Sequence, residues 1–175
     1  MKIPQQIPIK LAILFLLMPG FVQIIHAQSP PSKQDKQQAR KLLIKNLVDS
    51  QHYVFNAQVA MPLGGHTIQL TGDYYDLKIS RDAVVSYLPY YGRAYSAPLD
   101  PTQSGIQFTS KKFDYTSTPR KKGGWDILIK TKDKQDNWQL SLGISEDGYA
   151  NLQVNGGNRQ AISFTGAIAA PQQKH

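Results

Sequence analysis

Between Lys33 and Ile168 the spacing of apolar residues changes once, from a helical to a strand period. Ala39, Leu42, Leu43 and Leu47 recur at the i, i+3, i+4, i+8 spacing of one helix face, with Lys33, Lys36, Lys41 and Lys45 on the others. Ser32 and Asp35, three apart ahead of that pattern, have the form of a capping box. The spacing predicts a helix over about Lys33 to Asp49, docked through the leucine stripe. From His52 the period becomes two. Tyr53, Phe55, Ala57, Val59 and Met61 would share one strand face, and Pro62-Leu63-Gly64-Gly65 turns the chain. Ile68 and Leu70, then Tyr75, Leu77 and Ile79, continue it across Gly72; Val85 and Tyr87 alternate after the turn at Ser80-Arg81-Asp82.

An irregular segment spans Pro89 to Gly105. Beyond it, Ile106 and Phe108 followed by Phe113 and Tyr115 read as one strand with a phase change, which a bulge near Ser110-Lys111 would supply. Three further alternating runs, Trp125 to Ile129, Trp138 to Ile144 and Ala150 to Val154, are separated by turns at Asp136-Asn137 and Asp147-Gly148. Asn155-Gly156-Gly157 then leads to Ile162, Phe164, Gly166 and Ile168. Hairpin-length connections join only antiparallel neighbours. The predicted fold is mainly β, an antiparallel β-sandwich or barrel-like sheet of about eight or nine strands, with one N-terminal helix over an open end or face.

The first residues follow a different rule. Lys2 and Lys10 precede the apolar run Leu11 to Met18, Pro19-Gly20 break it, and Ala27 ends the stretch before polar Gln28. This is the layout of a secretory signal peptide, with cleavage expected between Ala27 and Gln28. The expected organisation is a signal peptide over 1–27, a proline-containing linker over 28–31, one β-rich domain over 32–168 and a disordered tail over 169–175. Location would be periplasmic or secreted, with no transmembrane segment in the mature chain. Loss of Lys2 and Lys10 leaves eighteen basic residues against twelve acids, a net charge of +6. The chain has no cysteine, which suits an oxidising compartment and excludes a disulfide framework.

The chemistry the sequence offers is narrow. The mature chain has His52, His66 and His175 only, without a paired-histidine spacing, so nothing points to zinc. There is no phosphate-cradling glycine loop and no nucleophile elbow. Asp73 and Asp76 are three apart, which on a strand places them on opposite faces, as turn or surface acids. Lys111, Lys112, Arg120, Lys121, Lys122, Lys130, Lys132 and Lys134 crowd one hairpin region. They suit the protection of an exposed strand edge, or attraction to an anionic envelope surface. The sequence implies no cofactor, no metal and no nucleic-acid partner.

The segment from Leu88 to Pro98 holds Tyr90, Tyr91 and Tyr95 around Arg93. Tyrosine rings have an apolar face and a polar tip, and the guanidinium is a planar fork of donors. These four residues are the candidate ligand site, suited to a small amphiphilic or anionic ligand at a barrel mouth. The alternative is that the tyrosines pack onto the core and Arg93 bonds carbonyls. No catalytic residue stands out.

Four runs in this order carry a family resemblance: VDSQHYVFNAQVAMPLGG from Val48, LPYYGRAYSAP from Leu88, FTSKKFDY from Phe108 and NRQAISFTGAI from Asn158. The chain resembles a family of exported bacterial proteins known as domain of unknown function 4251. The resemblance implies a secreted or periplasmic single domain and transfers no activity. Two function classes stay open. One is a non-enzymatic binding module for a small amphiphile, glycan or peptide; the other is a structural or protein-interaction component of the envelope with no small ligand. An enzyme ranks third. A deep apolar cavity would favour the first, and a filled interior with exposed apolar surface the second.

Overall fold

A computed structural model describes residues 32–72, 74–92, 105–133, 137–156 and 159–172. Among the described residues, helix α1 runs over Lys33–Ser50 and is followed by ten strands: β1 (Tyr53–Pro62), β2 (Ile68–Gln69), β3 (Asp76–Ile79), β4 (Val84–Leu88), β5 (Ile106–Ser110), β6 (Phe113–Pro119), β7 (Trp125–Thr131), β8 (Trp138–Ile144), β9 (Tyr149–Gly156) and β10 (Arg159–Ala169).

The helix begins where the sequence predicts. The Ser32 Oγ accepts from the Asp35 amide at 3.2 Å, and the Asp35 carboxylate accepts from the Ser32 amide at 3.0 Å. The Ser32 hydroxyl also donates to that carboxylate, which is held below the ordinary aspartate range. Gln51, in the left-handed region at φ 53°, ends the helix and donates to the Leu47 and Val48 carbonyls.

The docking face differs from the predicted one. Ile44, Leu47 and Val48 are buried, whereas Leu42 and Leu43 are 60% and 52% exposed. The sheet decides which stripe is used. The Arg40 Nε donates to the Asp147 carbonyl at 2.6 Å, Lys41 pairs with Glu146 at 2.6 Å, and the Arg81 Nε donates to the Ser50 carbonyl at 3.2 Å. These surface bonds accompany the inward placement of Ile44. Gly148, at φ +85°, makes room for it: a Cβ there would meet the Ile44 Cδ1.

The sheet is antiparallel throughout, in the order β5-β4-β3-β1-β10-β9-β8-β7-β6, with β2 beside β1. It curls into a nearly closed barrel rather than a sandwich. The two end strands, β5 and β6, are consecutive and separated only by Lys111-Lys112. They follow the single interrupted strand expected from the phase change. The first half pairs with β4 and the second with β7.

Two strand faces depart from expectation. A register shift between Ala57 and Val59 reverses the phase of β1, so Tyr53, Phe55, Ala57 and Ala60 are buried while Val59 and Met61 are only half-buried. In β4 the buried positions are Val84, Ser86 and Leu88, not Val85 and Tyr87; the Ser86 hydroxyl is satisfied by donating to the Ile106 carbonyl at 2.7 Å. Most other predicted inward residues are buried, among them Ile127, Ile129, Leu140, Leu142, Leu152 and Phe164, whereas Ile68, Phe108, Phe113, Tyr115 and Trp125 are half-buried and pack against the core. Together with the inner helix face they form one contiguous hydrophobic cluster that fills the barrel. Tyr53 is fully buried, and its hydroxyl lies 3.1 Å from that of Tyr115. Burial first, then Tyr115, raises the Tyr53 phenol far above its ordinary range.

Candidate functional site

The predicted tyrosines divide between two environments. Tyr90 packs against the core cluster, and its hydroxyl donates to the Gln160 carbonyl at 3.0 Å. The Arg159 guanidinium sits 5.1 Å from the Tyr90 ring centroid and donates from Nη1 to the Gly105 carbonyl at 2.8 Å. Tyr90 is therefore a structural anchor tying the end of β4 to the start of β10. Tyr91 is different: it is 44% exposed. Partial burial and then the neighbouring Tyr75 hold its phenol above the ordinary value. Arg93 and Tyr95 lie outside the described residues.

Tyr91 has one neighbour that the sequence did not point to, Tyr75, while Tyr87 already stands beside LPYYGRAYSAP in the sequence. Tyr75 and Tyr87 stack with ring centroids 6.4 Å apart and planes at 14°. Tyr87 is 48% exposed and Tyr74 is 75% exposed. The inverted phase of β4 is what turns Tyr87 outward. Tyr75, Tyr87 and Tyr91 together present ring faces and hydroxyls that can donate and accept.

The basic residues fall where edge protection would place them. β6 is the last strand in the sheet order, and Lys111, Lys112, Lys121 and Lys122 flank it or its hairpin turn. Lys132 pairs with Asp114 at 2.6 Å, and Arg120 pairs with Asp126. Hydrogen bonding between Arg120 and Asp126 lowers the aspartate pKa and raises that of the arginine. Asp76 pairs with Lys78 at 3.1 Å and is mostly covered, its side chain 16% exposed, rather than a free surface acid; Asp73 lies outside the described residues. Among the described residues no three His, Cys, Asp or Glu side chains gather as metal ligands would.

A second feature lies across the strands from β8 to β1. Gln58, Arg120, Gly143, Tyr149, Asn151 and Thr165 line a groove of about 240 Å³. The register sets Gly143 opposite Asn151 and Asn151 opposite Thr165. A side chain at 143 would collide with the Arg120 guanidinium, so this glycine lets Arg120 lie close against the sheet. Tyr149 stands at the groove, 64% exposed, with the Arg40 guanidinium 5.8 Å from its ring centroid. β1, β8 and β9 contain no Lys, Arg, Asp or Glu, and β10 has only Arg159 at its first position, in a chain that is 18% charged. The sequence signal for this groove, a run of strands without charge, is plain once the strands are placed beside one another.

Residues 33–168 match the family described as "Domain of unknown function (DUF4251)". A crystal structure of a DUF4251 family protein from Bacteroides eggerthii is similar in fold, with a TM-score of 0.59 at 16% sequence identity; the match covers 77% of this chain and 91% of that one. No curated protein matches the chain. Among the described residues no helix is long and apolar enough to cross a membrane.

Proposed function

The chain belongs to the DUF4251 family, and from that premise we propose that it is an exported, non-enzymatic binding module of the cell envelope. Its ligand, a small amphiphile, glycan or peptide, is recognised on the outer surface of the barrel. The observation that carries this reading is the tyrosine group of Tyr87 and Tyr91 with Tyr75 on a barrel whose interior its own side chains fill. A filled core has no room for a ligand, so recognition falls to surface groups. Rings with polar tips suit a molecule that has an apolar face and hydroxyl or amide groups around it.

The test is mass-spectrometric detection of molecules retained by the protein purified from its host envelope. Retention by the native chain and loss in both Tyr87→Ala and Tyr91→Ala, at unchanged melting temperature, is expected. A native chain that retains nothing, or variants that retain as much as the native chain, would remove the tyrosines as a site. The reading without a small ligand is favoured by two observations, the filled interior and the exposure of Leu42 and Leu43 on α1. It requires that Leu42→Ser and Leu43→Ser release the protein from an envelope partner to which the native chain can be cross-linked.

A further inference from the structure

We infer that the groove across β8, β9, β10 and β1 is a site for an uncharged glycan. This site uses other residues than the tyrosine group and stands on a different observation, the chemistry of a charge-free sheet face.

The groove presents hydrogen-bonding groups without net charge. Gln58 and Asn151 each carry a planar donor and acceptor, and Thr165 carries a hydroxyl. Among the described residues Arg120 is the cation lining the groove, and it pairs with Asp126, to whose Oδ1 its Nε donates at 2.9 Å; Arg40, over the Tyr149 ring, is turned to the Asp147 carbonyl. The Ser145 hydroxyl also lines the groove, and its oxygen is buried without a hydrogen-bond partner. Outward along the same strands the pattern continues with Gln139, Ser141, Gln153 and Ser163. Sugar hydroxyls are neutral donors and acceptors at fixed angles, which amide and hydroxyl side chains match.

Other occupants fit less well. An anionic ligand would be drawn to the lysines around β6 and β7, because the chain keeps a net positive charge and places it there. An extended peptide adds to a sheet through free backbone groups at an edge. Here β8, β9, β10 and β1 are each paired on both sides, so only side chains face the groove. An apolar ligand would meet amides and hydroxyls that lose water without gaining partners. Size agrees as well: a volume of about 240 Å³ is below the roughly 300–1,000 Å³ of drug-sized pockets and suits a single sugar ring of a longer chain. Tyr149, 64% exposed with the Arg40 guanidinium over one face of its ring, supplies the other face as an aromatic surface for the C–H groups of such a sugar ring.

The experiment is an amide-resolved NMR titration of the whole chain with maltohexaose, cellohexaose and chitohexaose. Oligogalacturonate serves as the anionic comparison, and each titration is run at low and high salt. Saturable shifts at Gly143, Asn151 and Thr165 with at least one neutral oligosaccharide, unchanged by salt, are expected. Asn151→Ala and Thr165→Ala should each weaken that binding about tenfold, equivalent to about 1.4 kcal/mol, and leave the melting temperature in place. Four results overturn the inference. They are no saturable shift from any neutral oligosaccharide at millimolar concentration, preferential salt-sensitive binding of the galacturonate, shifts confined to Tyr87 and Tyr91, and concentration-dependent shifts at Asn151 without ligand, which would mean that the face joins two copies of the chain.

Discussion

Ile44→Ala tests whether α1 is a working part of the core or an appendage to it. Ile44 is 3% exposed, and its Cδ1 lies where a side chain at 148 would have to be. The substitution removes three carbons from a buried site. At about 0.8 kcal/mol per buried methylene, the lost transfer energy alone is about 2.4 kcal/mol. The helix is held in place by Arg40, Lys41 and Arg81, so the hole cannot fully collapse, and residual cavity volume adds about 24 cal/mol per Å³. The expected total is about 3–4 kcal/mol. With a urea slope of about 1.5 kcal/mol per M, the unfolding midpoint should fall by about 2 M. Leu43→Ala is the control, because Leu43 is 52% exposed and should change stability by about 0.5 kcal/mol or less. Urea unfolding followed by tryptophan fluorescence reads both. Equal effects from the two substitutions, or a loss of less than about 1 kcal/mol for Ile44→Ala, would refute the assignment of the docking face.

Other expectations concern backbone, ionisation and export. Gly148→Ala should cost about 1–3 kcal/mol, read by thermal unfolding, since it forces a side chain into the left-handed region and against Ile44. The Tyr53 and Tyr115 phenols are both raised, chiefly by burial, so the folded state holds their protons more tightly than the unfolded state. Their contribution is fully present below the unfolded value of about 10 and is lost as pH climbs beyond it. Unfolding free energy measured across the alkaline range should fall more steeply for the native chain than for a Tyr53→Phe, Tyr115→Phe variant. Intact mass of the protein recovered from its host should show removal of residues 1–27, and a full-length species held in the membrane would contradict cleavage after Ala27.

Period-two spacing was enough to place most of the strands, because in β7 to β10 the alternating residues Ile127, Ile129, Leu140, Leu142, Leu152, Val154, Ile162 and Phe164 face the same filled interior. It failed where geometry outweighs alternation. The irregularity in β1 adds a residue at Gln58, and nothing in the string YVFNAQVAMP marks where the phase reverses. In β4 the interior takes Val84 and Leu88, which share a face with Ser86, and the Ile106 carbonyl satisfies the hydroxyl that this phase buries. The helix stripe misled as well: Leu43 and Ile44 are adjacent and both apolar, and polar contacts with Glu146 and Asp147 accompany the burial of Ile44. The tyrosine site was half legible. Tyr90 and Tyr91 are consecutive in sequence, but only their partners, Gln160 and Arg159 for one and Tyr75 for the other, separate an anchor from an exposed ring.

The pairing of β1 with β10 has a consequence for the order of assembly. Its partners, from Pro62 with Ile162 to Val54 with Ala169, lie a hundred or more positions apart, whereas hairpins such as β9–β10 close over a few residues. A tenfold longer loop costs about 2 kcal/mol more to close, so the hairpins form first and the long-range seam forms late. Synthesis runs in the same direction. β1 and its neighbours β2 and β3 emerge well before β10 exists, leaving the other edge of β1 with its ladder groups unmatched until the last strand arrives. An open edge of that kind is a template for a neighbouring chain. The barrel is thus most vulnerable to misassembly not when it is old and worn but in the interval before its final strand is made.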